Sequence, residues 1–226
     1  MDMPDFLLAV ITAPGQISGE AGSLEAMLEA GVQRVHLRKP GGSVQALAER
    51  LAPRWASRLV LHGSEDLARD YGIGQVHGPV RVPAGGQGGE AAGAGQAEAA
   101  SGEPGPGELG GAGGGTRFPG RVRIRRSTSV HSWEDLRGLP EGLEYAFISP
   151  LFDSISKPGY GATAGLLDMP GGPYPCRPVG LGGVSAGNIE LMRSLGWKGA
   201  ALMGWLWESP GETVRRFKQI KKIVDG

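Results

Sequence analysis

Residues 147–157 read Phe-Ile-Ser-Pro-Leu-Phe-Asp-Ser-Ile-Ser-Lys. An apolar strand runs into a loop anchored by Pro150, and the loop tip offers two hydroxyls and a lysine. Ser154 and Ser156 can each donate to a phosphate oxygen, Lys157 adds a compact positive charge, and Pro150 restricts the backbone. This is the outline of a phosphate-binding loop. Serine and lysine are also ordinary in solvated loops, so the meaning of the segment depends on what stands at the ends of the other apolar runs.

Three further motifs close β-branched, apolar runs: His36-Leu37-Arg38-Lys39-Pro40, Ser129-Val130-His131-Ser132, and Leu181-Gly182-Gly183-Val184 followed by Asn188. In an α/β barrel the loops after the strands gather on one face, which lets polar residues distant in sequence meet one substrate. In order and spacing these motifs resemble the thiamine phosphate synthase/TenI family over almost the whole chain. The family pattern has a polar residue, an apolar one and Arg after strand two, and Ser-x-His after strand five. Pro-x-aromatic-x-Thr-x-Thr-Lys follows strand six, and a Gly-Gly turn follows strand seven. Here those places hold His36 and Arg38, Ser129 and His131, Pro150, Phe152, Ser154, Ser156 and Lys157, and Gly182 and Gly183.

The resemblance implies a (β/α)8 TIM barrel acting in thiamine (vitamin B1) biosynthesis on thiazole phosphate, coupling it with hydroxymethylpyrimidine pyrophosphate to give thiamine phosphate. It implies Arg38 and Lys157 at the pyrophosphate, and Ser154, Ser156, Gly182, Gly183 and Gly204 around the thiazole phosphate. Close backbone approach to a phosphate requires glycine, although a Gly-Gly pair also serves as a plain tight turn. His131 is the candidate proton carrier, since histidine titrates near neutral pH; a structural histidine at a strand end is the competing reading. His36 and His62 read as pocket-lining hydrogen bonders rather than metal ligands, His77 as either buried or solvent-facing, and no metal ligand is assigned.

Magnesium is the cofactor that the synthases of this family imply, bound by two aspartates. This chain departs from the pattern at both: His62-Gly63 replaces Asn-Asp after strand three, and His77-Gly78-Pro79-Val80 stands near strand four. Hard cations need oxygen ligands, which glycine does not supply. Glu65 and Asp66 follow closely, but at a helix start they suit the helix dipole. Pro40 replaces a family lysine, leaving Lys39 as a substitute that would have to reach round. The TenI branch also lacks these carboxylates, so a TenI-like thiazole tautomerase or a non-catalytic thiazole-phosphate-binding protein is the alternative.

The chain has 226 residues, with 23 Lys and Arg balancing 23 Asp and Glu. Zero net charge gives no general attraction to nucleic acid or an anionic membrane. The basic run Arg121, Arg123, Arg125 and Arg126 lacks the aromatic interleaving of a nucleic-acid surface. A lone cysteine, Cys176, excludes an internal disulfide. The first residues lack a signal-peptide pattern and no apolar stretch is long enough to span a bilayer, so a cytoplasmic setting is expected. Phosphorylated thiazole and pyrimidine are the expected partners. Trp205 and Trp207, beside Gly204, suit a pocket lid, an interface in a homo-oligomer, or packing on the last helix.

Short apolar runs alternate with amphipathic stretches, the pattern of strand–helix units around a parallel sheet. Strands are expected at 6–12, 34–38, 59–62, 75–77, 122–130, 145–149, 178–182 and 200–203. Helices are expected from a Ser23 cap to Ala30, then at 44–56, 65–71, 133–139, 162–169, 188–195 and 211–224. All 226 residues form one barrel domain, interrupted at 84–115 by a run of almost only Gly, Ala, Glu, Gln and Pro. Such a run buries too little apolar surface to offset its ordering entropy, so it reads as a disordered insertion replacing the fourth helix. Deleting residues 86–114 is therefore expected to leave the melting temperature and ligand affinity unchanged, as thermal melts and calorimetry would check.

Overall fold

The computed structural model describes residues 5–80, 120, 122–153 and 161–226. Eight parallel strands close into a barrel in sequence order: β1 (Leu7–Ile11), β2 (Arg34–Leu37), β3 (Leu59–His62), β4 (Gln75–His77), β5 (Arg125–Val130), β6 (Leu143–Ile148), β7 (Arg177–Gly180) and β8 (Gly199–Leu202). Pairing of β1 with β8 closes it, Leu7 opposite Gly199 and Val10 opposite Leu202. The helices are α1 (Glu20–Glu29), α2 (Gln45–Trp55), α3 (Glu65–Asp70), α4 (Trp133–Arg137), α5 (Ile189–Ser194), α6 (Gly204–Trp207) and α7 (Thr213–Asp225).

Side chains alternate across each strand, and the barrel therefore has two cores. The larger lies between strands and helices, where Leu8, Val10, Val35, Leu37, Leu61 and Val76 meet Leu24, Met27, Leu51 and Phe217. The smaller fills the barrel itself with Leu7, Ala9, Ile11, Tyr145, Phe147, Val179 and Ala201. These seven come from β1, β6, β7 and β8 only. Across from them, His36 of β2 and His77 of β4 are buried and lie with ring centroids 4.8 and 5.0 Å from that of Phe147. Half of the interior is thus oily and half polar. Burying a large apolar side chain stabilises by about 1.5–3 kcal/mol, a gain the polar half gives up.

The expected bounds of β3 and β4 agree with the structure, and the other strands agree to within a few residues. β5 starts at Arg125 rather than Val122, its first ladder partner being Gln75. Helix α1 starts at Glu20 behind Gly19, not at Ser23. The cause is Glu20, whose carboxylate accepts from Ala13 N (2.9 Å) and Lys39 Nζ (2.6 Å), drawing the helix start toward the β1 loop. Lys39 also donates to the carbonyls of Ala13 and Gly15 at 2.8 and 2.7 Å. It is buried structural cement between the first two loops and does not reach round to any substrate position.

Residues 162–169 are not a helix but turns and bends. Gly165 sits at φ +79°, Pro170 follows, and Thr163 N is spent on the Pro150 carbonyl at 3.1 Å, none of which suits a continuing helix. Pro53 falls in the last turn of α2 and the helix accommodates it. The 84–115 insertion lies outside the described residues, between β4 and β5. Ser64 and Ser132 cap α3 and α4, accepting from Leu67 N and Asp135 N, contributions of about 1 kcal/mol each.

The loops after β6 and β7 continue the ladder of their strands. Leu151 N donates to Leu181 O at 3.0 Å and Phe152 N to Gly182 O at 3.1 Å. Contact is so close that a Cβ on Gly183, at φ +65°, would stand 2.5 Å from Asp153 O and 2.6 Å from Phe152 Cβ. Gly183→Ala is expected to lower the unfolding free energy by about 1–3 kcal/mol. Gly187→Ala, whose Cβ would meet Ser185 Oγ at 3.7 Å, should be nearly silent in the same denaturant melts.

Candidate functional site

Strands β3 and β4 end in His62 and His77, and His36 is the last residue but one of β2; these are three of the chain's four histidines. Register sets their meeting: His62 is the direct ladder partner of His77, while His36 pairs with Val60 one layer below. The His62 and His77 rings stack at 4.4 Å, and His36 meets both edge-on, at 5.2 and 5.3 Å. One ring nitrogen of each lies within 4.8 Å of the others. His36 Nδ1 is 3.0 Å from His62 Nε2, and His36 Nε2 is 2.7 Å from the Tyr145 hydroxyl. His77 faces serine hydroxyls with both nitrogens, Ser127 at 2.9 Å and Ser129 at 3.0 Å.

Burial disfavours charge on these rings. It holds His36 well below the ordinary histidine value, helped by His77, His62 and Arg34. Burial, then His77 and Arg38, push His62 down to about 3; burial and then Arg38 push His77 down to about 4. Tyr145 is shifted upward by burial. At neutral pH the cluster is thus a set of uncharged imidazoles, each with one donor and one acceptor nitrogen. Arg38 acts on it from the exposed end of β2, its backbone fixed by Thr12, whose hydroxyl accepts from Arg38 N (2.9 Å) and donates to Arg38 O (2.7 Å).

His131 lies apart from this cluster's hydrogen bonds, exposed just beyond β5. Its Nδ1 is 2.8 Å from the Ser149 carbonyl. A carbonyl only accepts, so Nδ1 carries the proton and neutral His131 presents Nε2 as a base. Ser149 leads through a cis bond to Pro150, which packs against the Gly182 backbone. Asn188 braces the same turn, donating to Gly183 O and accepting from Ser185 N, each at 2.9 Å. Asp153 Oδ1 accepts from Ala162 N at 2.8 Å. Ser154, Ser156 and Lys157 fall between these two residues and lie outside the described residues.

The glycines at 182 and 183 are explained by their packing on Pro150, Phe152 and Asp153. Gly204 opens the short α6. The tryptophans beside it are packing residues. Trp207 is buried and donates to Ile11 O at 2.7 Å, and Trp205 lies 5.2 Å from the Arg216 guanidinium of α7.

Among the described residues, no set of groups fits magnesium. The cluster offers nitrogen, whereas magnesium demands oxygen. Glu65 is paired with Arg69 and Arg126, and Asp66 is fully exposed beside Arg69. Tyr145 and Ser127 have no place among the residues expected from the sequence, and His77, read as either buried or solvent-facing, was not placed in the site. For His77 the signal was a histidine at or next to the end of each of three successive strands.

The neutral cluster makes stability depend on pH. Below about pH 6.5 the unfolded chain's histidines take up protons, while folded His77 and His62 stay neutral down to about 4 and 3. The unfolded state then binds more protons, so stability falls as pH falls. Denaturant melts with chelator present are expected to be flat above about pH 7 and to lose on the order of 3 kcal/mol by pH 4 through His77 alone. His77→Gln should flatten that decline; an unaltered slope would place its origin elsewhere.

No protein-family model and no curated protein sequence matches the chain. Among solved structures, thiamine phosphate pyrophosphorylase from Bacteroides thetaiotaomicron superposes with a TM-score of 0.61 at 19% identity, covering 97% of this chain and 98% of that one. The thiamine phosphate pyrophosphorylase from Pyrococcus furiosus gives 0.60 at 14% identity, covering 98% and 96%. Phosphoribosyl anthranilate isomerase from Thermus thermophilus gives 0.52 at 12% identity, covering 96% and 98%. At these identities the likeness concerns architecture: this chain has the thiamine phosphate synthase/TenI-like barrel fold.

Proposed function

We propose that this protein acts in thiamine biosynthesis on a thiazole phosphate, bound at the carboxyl ends of the strands, and that His131 moves a proton on it. The observation that carries this reading is the 2.8 Å contact between His131 Nδ1 and the Ser149 carbonyl. It orients an exposed imidazole with Nε2 outward as a base, at the root of the loop bearing Ser154, Ser156 and Lys157. A proton taken from one carbon of a ring tautomer and returned to another atom needs one such group in reach, and no metal. Lys157 and the two serine hydroxyls would hold the phosphate, by charge and by donated hydrogen bonds.

Arg38 favours a second reading, the coupling of thiazole phosphate with hydroxymethylpyrimidine pyrophosphate. Its exposed, planar guanidinium suits two phosphate oxygens. The absence of a fitting magnesium site among the described residues makes this the weaker reaction, because pyrophosphate departure draws on metal charge.

Incubation of thiazole phosphate tautomers with the full chain, followed by proton NMR, should show interconversion that His131→Gln abolishes while leaving affinity unchanged. Magnesium-dependent thiamine phosphate, formed when the pyrimidine pyrophosphate is added, would establish the coupling reaction instead. Lys157→Ala should weaken thiazole phosphate binding about 10-fold to 100-fold, as for loss of a charged hydrogen bond, with the melting temperature unchanged. An unaltered dissociation constant would remove Lys157 from the site.

A further inference from the structure

We infer that His36, His62 and His77 form a binding site for a borderline divalent transition ion such as zinc, with a fourth coordination position open toward the barrel mouth. Three imidazoles from three adjacent strands converge there with one nitrogen of each inside a 4.8 Å span. The pair His36 Nδ1 and His62 Nε2 is already 3.0 Å apart. Tetrahedral zinc, with bonds of about 2.0–2.1 Å, places ligand nitrogens roughly 3.3 Å apart. Widening that contact slightly and drawing in His77 completes three ligands.

The groups behind the rings suit this role. A metal-bound imidazole normally donates its other N–H to an oxygen that fixes its orientation. With Nδ1 on the ion, His36 Nε2–H faces the Tyr145 hydroxyl at 2.7 Å. Each nitrogen of His77 faces a serine hydroxyl, so whichever one binds metal leaves the other held. Phe147 and Tyr145 wall one side, and dry walls strengthen ligand contacts. His62 is half-buried and opens the cluster to the mouth, where Arg38 is exposed and screened by water. Three nitrogen donors select zinc, copper, nickel or cobalt rather than magnesium or calcium. Three protein ligands with an open position are the arrangement of catalytic rather than structural zinc, and beside Arg38 the entering ligand would be an oxyanion.

This inference does not depend on the thiazole phosphate reading, and its test contains no substrate. The full chain, stripped with chelator, is titrated with zinc chloride by calorimetry and with cobalt(II) followed by visible absorption. One zinc per chain and the intense absorption bands of four- or five-coordinate cobalt are expected. His62→Gln and His77→Gln should each weaken zinc binding by more than about 100-fold, and Tyr145→Phe by about 10-fold. His131→Gln, altering the fourth histidine, should leave it unchanged. Circular dichroism checks each fold, and the partly exposed position of His62 keeps that variant informative if His77→Gln does not fold. Absence of saturable zinc binding, or binding that survives both His62→Gln and His77→Gln, would overturn the inference.

Discussion

An eight-stranded barrel encloses a space that side chains must fill, and this chain fills only half of it with hydrocarbon. Leu7, Ala9, Ile11, Tyr145, Phe147, Val179 and Ala201 form the apolar half. The opposing half is closed by histidines and serines, which are tolerated only because their nitrogens and hydroxyls pair with one another. Tyr145 stands on the seam, an aromatic body in the oil and a hydroxyl on His36. The neutrality of the histidines, their mutual contact and their access to the mouth all follow from that division.

Alternation of strand and helix signals along the sequence exposed the barrel. Most strands are short apolar runs, β4 and the polar β5 being the exceptions, and β3 and β4 were read to the residue. Helix boundaries were less legible because tertiary contacts move them. Glu20 begins α1 early because Lys39, nineteen positions away, claims its carboxylate. The stretch 162–169 has helix-forming Leu and Ala, yet Gly165 and the anchoring of Thr163 to Pro150 break it.

The site was legible in pieces. Arg38, Ser129 and His131 stand at strand ends, where the motif spacing places them. What the sequence conceals is the stagger between strands. His36 and His62 do not share a ladder position, and only the diagonal across β2 and β3 brings their rings together. Strand-end parity alone would have read His62 and His77 as neighbours, but not the 3.0 Å contact to His36.

Asp153 and Ala162 are joined by a hydrogen bond, and Pro150, Leu151 and Phe152 are pinned to the β7 loop. Among the described residues, the stem of the β6 loop is therefore held by groups at its own base and in the β7 loop. Two neighbouring loops thus share one footing, and any change in the backbone of the one must be matched by the other.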